Sequence, residues 1–111
     1  MSSPQSHRAF FGDGEHDFRL TAPLILELER KAGCGIAVLF QRLFHRSFSL
    51  TDLHETIRCA LIGGGTDPLR ADQLIATYAV DRPISETLPI AIAIAELHWF
   101  GLPNENANEQ G

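Results

Sequence analysis

Three consecutive glycines, Gly63-Gly64-Gly65, are separated only by Thr66 from an Asp67-Pro68 pair. Neither a helix nor a paired strand runs easily through such a stretch, because glycine loses the most entropy in a regular element and proline lacks the amide donor. The same punctuation recurs at Gly33-Cys34-Gly35 and at Asp81-Arg82-Pro83. The chain is therefore cut into pieces of helix length, which points to a bundle of short helices.

Between these stops the apolar spacing is helical. From Thr21, with Pro23 in the first turn, PLILELERKA sets Leu24, Leu28 and Ala32 on one stripe, and Glu27 and Lys31 form a favourable i,i+4 pair. Ile36, Leu39, Phe40, Leu43 and Phe44 follow i, i+3, i+4, i+7, i+8, the cleanest helical face in the chain. Ser49 is placed to cap a third helix near Leu50, with Asp52 at N3 and Phe48 and Leu53 at the staple positions. That helix continues through Ile57, Ala60 and Leu61 to the triple glycine, predicted to take the left-handed cap conformation. Asp67 and Pro68 read as N-cap and N1 of a fourth helix with Leu69, Leu74, Ile75 and Tyr78.

The two ends of this series need separate arguments. Ahead of it, HRAFF and HDFRL flank GDGE, which predicts a β-hairpin with Phe10, Phe18 and Leu20 on one face. At the other end, Ile90 to Ala95 alternates with period two and would suit a half-buried strand. Alanine favours helix over strand, Thr87 can cap with Pro89 in the first turn, and the run to Gly101 has helix length, so a fifth helix is predicted. It is apolar on two sides, with Leu88, Ala91, Ile92, Ala95 and Trp99 on one and Ile90, Ile94 and Leu97 on the other. Such a helix is either buried centrally or covered by a partner. The expected fold is mainly α: an N-terminal hairpin and about five short helices in a compact bundle over residues 7–102, with loose polar ends at 1–6 and 103–111.

Size and charge then narrow the function. A chain of 111 residues suits one small domain, and at that size one core leaves little room for a deep substrate pocket. A binding or assembly role leads, with no enzymatic activity and no cofactor expected. With 9 Lys+Arg against 14 Asp+Glu the net charge is −5, which opposes wrapping of nucleic-acid phosphate and gives no polybasic membrane address. Short helices joined by glycine turns also match small DNA-binding domains. Arg42, Arg46, Arg58, Arg70 and Arg82 are scattered and accompanied by acids, however, so a DNA-binding regulator ranks last.

Motifs for chemistry fail on spacing. The glycine run lacks the G-x-x-x-x-G-K-[ST] order of a phosphate loop and follows a helix rather than a strand. His7, His16, His45, His54 and His98 include no H-x-x-x-H pair and no zinc spacing with a cysteine. Asp13, Glu15 and Asp17 read as solvated turn carboxylates, without the calcium-loop pattern. Cys59 falls nearly opposite His54 on one helix, and Cys34 has no assignable base. With no C-x-x-C, no signal-peptide order in MSSPQSHR and no apolar run near the ~20 residues of a membrane span, a cytoplasmic setting is predicted.

The order of pieces resembles a known family. The hairpin ending in FRLT, LELERKAGCG, TIRCALIGGG, the Asp-Pro helix start and RPISETLPIAIAIAEL are similar to the small gene-transfer-agent and prophage tail assembly chaperones, some of which carry the label tail tube protein. The resemblance covers roughly residues 8–101; at Phe48 a tryptophan would be expected, and the aromatic character is kept. It implies a non-enzymatic protein that binds the tape-measure protein and other tail proteins in the host cytoplasm, with self-association and particle association left open. A structural tail tube or adaptor component is the second reading. A long partner helix with apolar stripes needs an apolar face to shield it. The residues expected to supply that face are Ile90, Ile94 and Leu97 of the last helix, with Phe10 and Phe18 of the hairpin as a second patch. The competing reading is that both sets are buried within the chain.

Overall fold

Strands β1 (His7–Phe11) and β2 (Gly14–Phe18) pair antiparallel with Phe11 opposite Gly14, so the turn is the dipeptide Gly12-Asp13. Gly12 has φ 71° and Asp13 is not among the positive-φ residues, the pattern of a II′ hairpin turn. The structure, a computed structural model, describes residues 6–101. The ends expected to be loose, 1–6 and 103–111, lie outside the described residues apart from Ser6. Five helices follow the hairpin: α1 (Ala22–Ala32), α2 (Ile36–Phe44), α3 (Leu50–Gly63), α4 (Pro68–Tyr78) and α5 (Ile84–Phe100). The fold is thus mainly α behind a hairpin, as the punctuation predicts.

Register corrects one expectation about the hairpin. Directly opposed residues share a face, so His7, Ala9 and Phe11 lie with Phe18, His16 and Gly14, while Phe10 lies with Arg8, Glu15 and Asp17 on the other side. Phe11 and Phe18 are buried and meet edge to face, with ring centroids 6.4 Å apart; Phe10 is 66% exposed. Phe11, not Phe10, therefore joins Phe18 and Leu20 in the core.

The central element is α3, which packs on the other four helices and on β2. Leu53, Ile57, Cys59, Ala60 and Leu61 are fully buried along it, and burial of each leucine or isoleucine is worth roughly 1.5–3 kcal/mol. Its start is a complete capping box: Ser49 Oγ accepts from the Asp52 amide at 3.0 Å, and Asp52 Oδ2 accepts from the Ser49 amide at 2.9 Å. Asp52 is itself buried and also receives Arg42 of α2 at 3.3 Å. Across the bundle, Arg58 of α3 reaches Glu27 of α1, Glu55 on its own helix and Asp72 of α4 at 3.7, 2.7 and 3.6 Å. Glu27 pairs with Arg30 and Arg58 rather than with Lys31, because Arg58 rises from the neighbouring helix.

Helix ends show two further departures. Helix α1 stops at Gly33 in the left-handed conformation, φ 75°, as expected, and the carboxylate of Glu29 then accepts the first amide of α2, from Ile36, at 2.8 Å. The triple glycine works differently from the prediction. Gly63 is helical and Gly64 has φ −85°; only Gly65 has positive φ, 116°. A Cβ on Gly63 would lie 1.9 Å from the Arg19 carbonyl oxygen, and one on Gly64 1.9 Å from that of Asp17. These two glycines are there for space, letting the end of the hairpin close on α3, where the Arg19 amide donates to the Ala60 carbonyl at 2.9 Å. Helix α5 begins at Ile84, one turn before the expected cap, so Pro89 is inside the helix and Thr87 is buried, its hydroxyl donating to the Ile84 carbonyl at 3.4 Å.

Candidate functional site

The five residues expected to contact a partner fall into two separate places. Phe18, Ile94 and Leu97 line a groove of about 260 Å³ between the hairpin exit and α5, together with Arg19, Leu20 and His98. Phe10 and Ile90 line a second, of about 420 Å³, between the hairpin and the start of α5, with Tyr78, Arg82 and Glu86. Phe18, Ile90 and Ile94 are buried and Leu97 is half-buried. Of the set, only Phe10 presents most of its side chain to solvent. The face of α5 assigned to a partner is thus the one that packs into this chain's own core, beside Ala91 and Ala95.

The most exposed apolar side chains of α5 stand at its C-terminal end. Trp99 and Phe100, in the last turn of α5, are 53% and 62% exposed. They form one wall of a groove of about 260 Å³, whose other wall is Ala37, Gln41 and Phe44 of α2 with His45 just after it. Phe40 is buried at the floor and meets Trp99 edge to face at 6.3 Å and His98 at 6.1 Å. Trp99 follows buried Ala95 by four residues, so periodicity alone reads it as inside. The available signal is its position in the last turn of the helix, where one side of the ring meets Phe40 of α2 and about half of the side chain stays exposed.

The charged groups near the hairpin are paired with one another. Arg8 holds Glu15 and Asp17 at 3.1 and 3.0 Å, while Asp13 is shared by His16 at 3.1 Å and Arg70 of α4. The carboxylates of the turn are therefore engaged by cations of the chain itself. Hydrogen bonds donated to Asp17 and Glu15 raise the Arg8 guanidinium above its ordinary range, and the bond donated by Arg30 lowers the Glu27 carboxyl. At Cys59, burial pushes the thiol up to about 11, so it stays protonated at neutral pH and is a poor nucleophile. Cys34 is half-buried in the α1–α2 turn. Backbone carbonyls of Asp17 and Arg19 fill the space beside Gly64 and Gly63, where a phosphate loop would have to receive its ligand. Among the described residues no three or more His, Cys, Asp or Glu are grouped to hold a metal ion. No described helix is long and apolar enough to cross a membrane.

Residues 5–101 match the family described as phage tail tube protein, GTA-gp10. No curated protein and no solved structure matches the chain.

Proposed function

The chain belongs to the phage tail tube protein, GTA-gp10 family, and from that premise we propose that it acts as a tail assembly chaperone. It binds the tape-measure protein in the host cytoplasm and keeps it soluble while the tail is built. The observation behind this reading is how the exposed apolar surface is divided. Phe10, Leu26, Leu50 and Leu69 are well exposed but stand on four different elements, whereas Trp99 and Phe100 share one groove. A subunit that polymerises head to tail needs two faces. Each face of a stable contact buries on the order of 800 Å² per partner, with an apolar centre. Two half-exposed aromatic rings supply on the order of 100 Å² each, which suits reversible capture of a segment better than a permanent joint.

A DNA-binding role is disfavoured by the arginines. Arg8, Arg30, Arg42, Arg58, Arg70 and Arg82 each have a carboxylate within ion-pair distance, so they are poorly placed to exchange counterions with a phosphate backbone.

The family's description favours a structural tail role as the second reading, and particle composition separates the two. Quantitative mass spectrometry of purified particles should find this chain missing or strongly substoichiometric to the tube subunit while it is abundant in the producing lysate. A copy number equal to that of the tube subunit would make it a structural component.

A further inference from the structure

We propose that the free edge of β1 receives an extended, uncharged segment of the tape-measure protein as a third strand, laid in the groove between β1 and the α4–α5 corner. The inference rests on the chaperone reading and adds a contact near the start of α5, toward the opposite end of that helix from Trp99 and Phe100. Register decides which backbone groups are open. A two-residue turn makes its flanking pair, Phe11 with Gly14, the hydrogen-bonded one, so Ala9 with His16 and His7 with Phe18 are bonded too. Arg8 and Phe10 fall in the alternate pairs and aim their amides and carbonyls away from β2. Among the described residues, no group bonds to them on that side. The other edge of the hairpin is closed by α3, where the Asp17 carbonyl lies against Gly64 and the Arg19 amide donates to Ala60.

The groove of about 420 Å³ runs along the open edge. Phe10 and Phe11 point to opposite faces of the hairpin, yet both line it with Gly12, and no described residue of β2 does. A cavity bounded by both faces of one strand lies at that strand's edge. Tyr78, Arg82, Glu86 and Ile90 form the far wall, and a channel between a strand edge and helices is a setting for strand addition. Three observations select the occupant. Open donors and acceptors two residues apart, on Arg8 and Phe10, match the repeat of another strand, whereas a helix has already bonded its own backbone. Nothing guards the edge: β1 carries no proline, lysine or bulge, and the Arg8 side chain is drawn across to Glu15 and Asp17. The charges of the wall cancel, since Arg82 pairs with Glu86 at 3.0 Å, which favours an added strand that is uncharged where it lies over them. A second copy fits less well, because its own β1 edge is flanked by the same wall and the two walls would compete for the space that the paired strands need.

The test measures amide hydrogen exchange of the full-length chain residue by residue, alone and in complex with the tape-measure protein. Alone, Arg8 and Phe10 should exchange fast beside slower Ala9 and Phe11, and in the complex both should slow by roughly tenfold or more. Phe10→Pro removes the outward amide at a position where an edge strand tolerates proline. It should weaken binding roughly tenfold while the circular dichroism spectrum is kept. Phe10→Ala keeps the amide and should weaken binding a few-fold at most. Binding that leaves Arg8 and Phe10 exchanging as fast as in the free chain would overturn strand addition while leaving the chaperone reading in place. A tape-measure protein that does not bind at all would overturn both. Slowed exchange at Arg8 and Phe10 that arises without it and grows with protein concentration would give the edge to a second copy of this chain instead.

Discussion

At the scale of single residues, the glycines and the buried cysteine make the sharpest claims. Replacing a helical glycine with alanine ordinarily stabilises a helix by up to about 1 kcal/mol. At Gly63 the sign should reverse, because the new methyl would sit 1.9 Å from a backbone carbonyl that belongs to the hairpin exit. Urea denaturation of Gly63→Ala should show a net loss of about 1–3 kcal/mol, in the range of overpacking. Gly65→Ala, with nothing within 4 Å, should pay only for its positive φ. An unchanged or raised urea midpoint for Gly63→Ala would mean that the hairpin does not close on α3 in this way. Cys59 gives a pH dependence. Its thiol titrates near 9.0 when unfolded and is pushed up to about 11 by burial, so the unfolded chain gives up the proton first. The stability contributed by the buried neutral thiol is complete below pH 9.0 and is lost as pH rises toward about 11. That loss should amount to roughly 2 kcal/mol, and Cys59→Ala should lose correspondingly less over the same window.

At the scale of elements, the sequence is most legible where a cap or a stop is chemically explicit. Ser49 with Asp52, Asp67 with Pro68, and Gly33 each mark a helix end that the structure shows at that residue. Legibility fails where the deciding contact comes from elsewhere in the chain. Nothing near Gly63 in sequence announces that Arg19 will press on it, and nothing near Ile36 announces the carboxylate of Glu29. Phe10 and Phe11 are adjacent aromatics, so only the pairing of Phe11 with Gly14 decides which one turns inward. Helix α5 illustrates the same limit, since Pro89 reads locally as a first-turn residue while packing extends the helix back to Ile84. The price of that extension is one missing hydrogen bond to the carbonyl of Ser85, on an exposed residue. Pro89→Ala restores the donor and should raise the thermal midpoint, equivalent to a gain of about 1 kcal/mol. A fall in the midpoint would show that the ring is needed to aim the first turn.

At the scale of the whole molecule, the question is which apolar groups hold the bundle together and which are left for a partner. Helical periodicity identified both apolar sides of α5 but not their assignment, because Ile90 and Ile94 face α3 and the hairpin while Trp99 and Phe100 extend to the open end beside α2. Ile94 is 2% exposed, so Ile94→Asp should abolish cooperative unfolding in circular dichroism rather than remove partner binding selectively. A folded Ile94→Asp protein that has lost only binding would return the interface to that face. The most direct measurement on the proposed function is the solubility of the tape-measure protein expressed alone, with this chain, and with Phe100→Ser. The tape-measure protein should sediment when alone, remain in the supernatant and co-purify with the unaltered chain, and sediment again with Phe100→Ser. Its sedimentation to the same extent in the presence of the unaltered, folded chain would contradict a chaperone role.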